Sequence, residues 1–362
     1  MDYAVIMAGG AGKRLWPLSR QKRPKHLIQI YQGKTLLRCC FDRLTPLFDI
    51  KNIFVQTNAD YAELVRENLP ELPADNVISE PAVRDTAGAI GLAASILYDY
   101  EPDSTMALVT ADHIIEPQKK FRQTIRDGLN FINNNPDSLL IFGIEPSYPS
   151  TQLGYIKFSK GQTFSCCENQ IHTVEEFREK PDYKTAVKYI DSGNYLWNSG
   201  MFVWKSRTIL QNLEKFLPAS TLPLREIARA WKSSRRQEVL DKWYIKLPKI
   251  SIDYAVMEKA TNIYATKLHC RWLDLGSFTA LAEIIETDEN NNIRITKSSE
   301  LLDCKNSVIV TEDEQHLIAA IGLDNIIIAH SPDATLVCTS DQAPRLKELL
   351  DKIKKHKGDK YL

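Results

Sequence analysis

The chain has no apolar run long enough to cross a bilayer, no C-x-x-C pair and no excess of charge of either sign. Each absence excludes something. Lys plus Arg number 46 and Asp plus Glu number 46, a formal net charge of zero over 362 residues. A general nucleic-acid or anionic-membrane binder needs a basic footprint, which this composition does not supply, although a local basic pocket for phosphates is still allowed. The seven cysteines are odd in number, and Cys39–Cys40 and Cys166–Cys167 are vicinal pairs. Zinc-ribbon and thioredoxin-like readings lack their spacing, so reduced thiols in a cytoplasmic protein are the economical expectation. The opening MDYAVIMAGGAGKR carries an acid at Asp2 and no basic stretch before its apolar run, which predicts a buried strand rather than a signal peptide. H-E-x-x-H and G-x-S-x-G are missing as well, which weakens hydrolase readings.

What is present has the balance of an ordinary globular protein, 43% hydrophobic and 25% charged. The length suits one large domain plus a lesser one. Short β-rich apolar runs at Tyr3–Ala8, Ile53–Gln56, Met106–Thr110 and Leu139–Gly143 alternate with helical stretches, one of them opening at Asp60. That alternation predicts an α/β fold, Rossmann-like, with a mixed but mostly parallel sheet. Ligands of such sheets bind at the carboxyl ends of strands, so Gly9–Arg14, Thr57–Asn58 and Asp112 draw attention. The polar segment Asp288–Asn292 reads as a linker. It divides the chain into a catalytic domain over 1–287 and a small β domain over 288–362. The tail should hold very short strands at Ser307–Val310, Leu317–Ile321, Asn325–Ala329 and Thr335–Cys338. Its last segment, Asp341–Lys357, places Leu346, Leu349, Leu350 and Ile353 at helical spacing and predicts a closing helix. Unpaired edges in so small a β domain are consistent with a homodimer.

Five strings could carry chemistry. In GGAGKRLWPLSRQKRPKHL, residues 9 to 27, glycines after a strand let backbone N–H groups approach phosphate oxygens. Lys13, Arg14, Arg20, Lys22, Arg23 and Lys25 supply cations that could neutralise a triphosphate. The string is neither a P-loop, since Arg14 follows Lys13, nor a dinucleotide fingerprint, since Leu15 stands where the third glycine belongs. In EPAVRDTAGAIGLAA, residues 80 to 94, Thr86 could cap a helix whose N-terminus favours anions, or the string could simply be a loop entering a small-residue core helix. Asp112, at a strand end, and Asp274 could be two carboxylates for Mg²⁺ or two ordinary capping residues. The middle of the chain offers Glu179, Lys180 and Asn198, which supply a hydroxyl acceptor, a cation and an amide suited to a sugar phosphate.

Taken together and in order, these strings resemble the mannose-1-phosphate guanylyltransferase family of sugar nucleotidyltransferases. The likeness is carried by Gly9-Gly10-x-Gly12-x-Arg14-Leu15-Trp16-Pro17-Leu18-Ser19-Arg20 with Pro24-Lys25, Glu80-Pro81, Arg84, Thr86-Ala87, Thr110-Ala111-Asp112-His113, Gly154-Tyr155-Ile156, Glu179-Lys180-Pro181, Trp197–Phe202, Ser251–Lys259 and Trp272-x-Asp274-x-Gly276-Ser277. It covers the first 280 residues or so, and the tail looks like the family's small left-handed β-helix domain. The resemblance implies transfer of GMP from GTP to α-mannose 1-phosphate with Mg²⁺ as cofactor. Ala8, Gly9, Gly10, Gly12 and Lys13 would cradle the nucleotide, and Arg14 and Lys25 would steady its triphosphate. Asp112 and Asp274 would hold the metal. Glu80, Arg84, Thr86 and Ala87 would position base and nucleotide; Gly154, Tyr155, Glu179, Lys180 and Asn198 would take the sugar phosphate. Two departures stand near the base region: Asp85 where the family usually has Asn, and Gly88 where it has Pro. Phe278 replaces a common Trp. The chain length leads one to expect the form without a fused isomerase domain. Two rival readings are an enzyme of the same chemistry with heptose or glucose 1-phosphate or another base, and a silent paralogue that binds sugar nucleotides and regulates a partner. The second should have lost Lys25 or a metal carboxylate, and this chain retains both.

Overall fold

The computed structural model describes residues 1–10, 12–164, 168–283 and 285–362, without the side chains of Lys13, residues 160–164 and Glu283. The Cys166–Cys167 pair and Ala11 lie outside the described residues. Cys39, Cys40, Cys270, Cys304 and Cys338 are free thiols.

Strands β1 (Asp2–Ala8), β2 (Ile53–Asn58), β3 (Val77–Glu80) and β4 (Thr105–Thr110) pair in parallel, in the spatial order β3-β2-β1-β4. Their apolar runs do not alternate because both faces are covered, as parallel strands require; Ala4, Val5 and Ile6 are all fully buried. One cover is the helix Asp85–Tyr100, whose residues Ala87–Leu97 are all buried. Its small side chains permit that closeness: a Cβ added at Gly91 would stand 2.7 Å from Leu224 Cδ1. The helix begins at Asp85, so Thr86 lies inside it and is not the cap. Likewise Asn58, not Asp60, caps the turn after β2, accepting from the Asp60 N–H at 2.9 Å.

Beyond β4 the topology changes. After the short β5 (His113–Glu116) come β6 (Leu139–Ile144), β7 (Tyr155–Phe164), β8 (Ile171–Arg178), β9 (Tyr195–Lys205) and β10 (Ile263–Lys267). They complete a nine-stranded sheet ordered β3-β2-β1-β4-β9-β6-β10-β8-β7. Here β9 runs antiparallel between β4 and β6, and β7 and β8 form an antiparallel pair. The sheet is therefore mixed, and the expectation of a mostly parallel sheet fails in this half. Connection length accounts for the β7–β8 pair, since strands joined by a few residues pair antiparallel and a parallel return needs a long crossover; β9 is inserted antiparallel between two strands far from it in sequence. Strand β11 (Arg271–Asp274) leaves the sheet and pairs with β5, setting Asp274 opposite His113.

In the tail, β12 (Ile293–Ile295), β14 (Val308–Thr311) and β16 (Ile326–Ser331) stack in parallel, and so do β13 (Ser299–Leu302) and β15 (Ile318–Ile321). A last strand, β17 (Ala334–Thr339), turns back antiparallel on β16. Ile293, Val308 and Ile327 face one another across successive coils and are buried. The closing helix runs Leu346–Lys357; it buries Leu346 and Leu350 but leaves Leu349 41% exposed, so its inner face is narrower than the spacing suggested. The tail does not hang free. Leu15, Trp16, Leu18, Ile28 and Ile30 share one apolar core with Val310, Ile327, Leu336 and Leu346. Polar contacts reinforce it: Trp16 Nε1 donates to Tyr361 O at 2.6 Å, and Arg20 reaches Tyr361 O at 2.7 Å and Asp333 at 2.5 Å. Arg23 pairs with Glu312, which also accepts from the Gln29 N–H at 2.5 Å. Arg20 and Arg23 are thus taken by the tail and are not the free phosphate-facing cations that the composition of the loop suggested.

Candidate active site

The carboxyl end of β1 delivers Ala8, Gly9 and Gly10. Ala8 is buried with its carbonyl held by Thr57 Oγ1 at 2.8 Å, while Gly9 and Gly10 are exposed. Gly10 has φ +89° and Gly12 φ +62°, a left-handed backbone that glycine adopts without a Cβ penalty. At Gly12 the space is also closed, because a Cβ there would run into Lys25 Cβ. The glycine therefore sets how near Lys25 approaches the loop. Arg14 is exposed and extends toward Gly276, where an added Cβ would stand 3.8 Å from Arg14 Nη1. The side chain of Lys13 lies outside the described residues.

Lys25 joins the two carboxylates. Its Nζ stands 2.8 Å from Asp112 Oδ2 and 3.0 Å from Asp274 Oδ1. Asp112 stands two residues past the end of β4 and Asp274 ends β11; the β5–β11 ribbon brings together residues far apart in sequence. Burial pulls the Lys25 ammonium down, and the two carboxylates reverse that and raise it above the ordinary lysine value. Burial pushes Asp112 up, but Lys25 and then His113 outweigh it and hold the carboxyl well below the usual range. His113 is buried, which lowers its pKa. Its Nδ1 accepts from Trp272 Nε1 at 3.1 Å, and Arg43 Nη2 donates to its carbonyl at 3.0 Å, so the turn carrying Asp112 is pinned from two sides. A cavity of about 1290 Å³ is lined both by Arg14, Lys25 and Asp274 and by Leu346 and Leu350 of the tail.

A second cluster forms where β7, β8 and β9 meet. A Cβ on Gly154 would stand 2.5 Å from Glu179 Oε2 and 3.2 Å from Asn198 Cβ, so the absence of a side chain there lets the three residues converge. Glu179 Oε1 accepts from Lys180 Nζ at 2.5 Å, while its Oε2 is buried with no protein partner among the described residues. Such an orphaned acceptor is costly unless a ligand satisfies it. Asn198 donates to Asp253 at 2.9 Å and accepts from the Gly200 N–H at 2.8 Å. Tyr155 does not face this cluster with its hydroxyl: the ring is fully buried and the OH donates to Ser150 O at 3.0 Å. Only its backbone is offered.

A third group lies at the end of β3. Burial raises the Glu80 carboxyl from its ordinary 4.5 to about 7, against the lowering effect of Tyr244 and Gln56; the Tyr244 hydroxyl donates to Glu80 Oε2. Arg84 reaches Ile245 O, Thr86 Oγ1 accepts from the Ile252 N–H at 2.8 Å, and the Ala87 N–H donates to Ile250 O at 3.2 Å. These three groups are engaged on the protein itself. Asp85 has φ +62° and caps the Thr86 N–H at 2.7 Å; it makes no ion pair with Arg84. Asp tolerates this left-handed position as Asn does, which accounts physically for that departure from the family pattern. Tyr244 and Asp253 were not singled out as site residues in the sequence. Asp253 is raised to about 6 by burial and by the Glu179 charge, and only the fold shows that neighbour.

Glu80 supports a prediction with a definite sign. Its folded pKa lies above its unfolded one, so the stability it contributes as a neutral acid is complete below about pH 4.5 and lost as pH rises through about 7. Glu80→Gln should remove that loss and make the protein more stable than wild type at pH 8, by on the order of 1–3 kcal/mol. The gap should shrink at pH 5. Urea melts at the two pH values check this, and a gap independent of pH refutes it.

Residues 3–291 match the nucleotidyl transferase family, and residues 300–353 match a beta-helix domain described as MannoseP isomerase/GMP-like. The chain belongs to the nucleotidyl transferase family and, by full-length likeness to curated relatives, to the mannose-1-phosphate guanylyltransferase family within it. Mannose-1-phosphate guanylyltransferases of Klebsiella pneumoniae and Escherichia coli are 34% and 33% identical to it; each match covers 100% of this chain and 76% of the relative. Among solved structures, a Thermus thermophilus protein described as a mannose-1-phosphate geranyltransferase has a TM-score of 0.85 at 30% identity, covering 98% of this chain and 99% of that one.

Proposed function

We propose that this protein transfers GMP from GTP to α-mannose 1-phosphate, giving GDP-mannose and pyrophosphate. The observation that carries this is the convergence of Arg14, Lys25, Asp112 and Asp274 beside an open glycine loop. A sugar phosphate is already ionised at neutral pH, so no general base is needed. Its oxygen attacks the α-phosphorus in line, and the remaining task is positioning and charge stabilisation. Arg14 and Lys25 neutralise the triphosphate and the departing pyrophosphate. Glu179, through its unpartnered Oε2, accepts from a sugar hydroxyl, Lys180 faces the phosphate, and Asn198 is held in place by Asp253. Glu80 and its Tyr244 partner face the base.

Asp112 and Asp274 fit Mg²⁺, since their oxygens already converge on one cation, the Lys25 ammonium. Mg²⁺ takes a few carboxylates plus phosphate oxygens and would supply charge stabilisation at the α-phosphate. We further infer a left-handed winding of the tail coils, a domain border near 287/288 and a cytoplasmic setting. The parallel stacks of short strands and the family likeness support the first two of these. Pyrophosphate release from GTP and mannose 1-phosphate with Mg²⁺ tests the function. Parallel arms with ATP, UTP and dTTP, and with heptose and glucose 1-phosphates, test base and sugar. A folded protein that releases no pyrophosphate with GTP and mannose 1-phosphate overturns the reading.

A further inference from the structure

The tail contains a cluster that the transfer reaction does not use. Asp313 and His316 lie in the turn after β14, and His330 lies near the end of β16 in the next coil. One ligand atom from each falls within 4.8 Å of the others, and all three residues are half-buried. The two imidazoles stack with centroids 3.6 Å apart and planes 11° from parallel. His330 Nδ1 is bonded to Thr335 Oγ1 at 2.9 Å, across the β16–β17 hairpin, which leaves Nε2 as the available donor atom. Asp313 Oδ1 accepts from the Gln315 N–H at 3.0 Å, which leaves Oδ2. Among the described residues nothing hydrogen-bonds to the His316 ring.

We propose that Asp313, His316 and His330 form a second metal site, for a divalent transition-metal ion of the zinc class. Two imidazoles and one carboxylate suit zinc, copper or nickel, whereas magnesium and calcium favour all-oxygen sets. Three protein ligands with one open position is a familiar zinc arrangement. The Thr335 contact plays the part of the outer hydrogen bond that fixes a ligating histidine. Stacked rings direct their lone pairs into parallel planes, so one ring must turn to share an ion. His316 is the one free to do so, since His330 is held. The site also has a consequence for the catalytic half. Glu312, which holds Arg23 and Gln29, directly precedes Asp313; Ser331, which accepts from Arg20 at 2.9 Å, directly follows His330. An ion here ties together the two coils that grip the phosphate loop.

The test uses the full chain in excess Mg²⁺, which occupies the active-site carboxylates, and follows Zn²⁺ uptake by competition with a chromophoric chelator. Wild type should take up one equivalent that His316→Ala and Asp313→Asn lose. Thr335→Val, which removes only the outer hydrogen bond, should weaken binding about tenfold or more. Co²⁺ in place of Zn²⁺ should give the visible absorption of a four-coordinate nitrogen-oxygen site in wild type alone. His316 is half-exposed, so its alanine variant should keep its circular dichroism spectrum, which separates loss of the site from loss of fold. No Zn²⁺ uptake by wild type, or equal uptake by His316→Ala, overturns the proposal. Neither outcome decides the transfer reading, which is assayed separately with Mg²⁺.

Discussion

Asp112→Asn should lower pyrophosphate release by about 10²–10³-fold while the protein stays folded. Asparagine keeps the shape but carries no charge, so the site loses one of its two anionic oxygen sets. Lys25 would keep Asp274 at 3.0 Å, and its ammonium would not be left buried without a partner. That limits the cost to stability. The sign with pH follows from the depressed Asp112 carboxyl. A carboxylate held low contributes stability above its unfolded value and loses it as pH falls through the folded one. The variant should therefore be slightly less stable than wild type at neutral pH and converge with it in acid. Steady-state assays at pH 7 measure the first, and denaturant melts stepped from pH 7 to below pH 2 measure the second, with the gap starting to close only below the unfolded aspartate value of about 4. Activity close to wild type would remove Asp112 from the site.

Gly12→Ala should lower kcat by about 10²-fold, the loss typical when a reacting group is displaced by around an ångström. Two effects add. The left-handed backbone costs an alanine about 1–2 kcal/mol. The new methyl also runs into Lys25 Cβ, so the loop or the lysine must move. Gly33→Ala separates the two effects. Gly33 has φ +67° in the turn between Tyr31 and Lys34, outside the nucleotide loop, and nothing lies within 4 Å of an added Cβ. It should share the backbone cost without the displacement and retain most of the activity. If the two variants lose activity equally, backbone strain accounts for the effect and Lys25 placement does not.

Legibility in the sequence followed the range of each interaction. The strands up to β4 could be read because their apolar runs are continuous, and continuity follows from burial on both faces. The position of Asp112 at a strand's carboxyl end, where such sheets bind ligands, could be read from the sequence; its pairing with Lys25 could not. The antiparallel insertion of β9 could not, since nothing local to Tyr195–Lys205 says which strands flank it. Charge misled at Arg20 and Arg23. A cation in a glycine-rich loop reads as a phosphate ligand, yet its partners are carboxylates some three hundred residues on. Tyr155 shows the same limit: within the family motif it reads as a ligand, whereas folding buries it. Asp253 and Tyr244 gain their roles only from neighbours that the fold supplies, Asn198 and Glu80.

The hold of the Tyr361 carbonyl on Trp16 and Arg20 spans 345 and 341 residues. A ribosome releases the phosphate loop first and the group that anchors it long afterwards, roughly tens of seconds later at ordinary elongation rates. Throughout that interval the loop lacks the tail side of its core, so the nascent chain carries every catalytic side chain before it carries a finished site. On the proposed function, competence to bind nucleotide would then wait on the tail folding back against the loop.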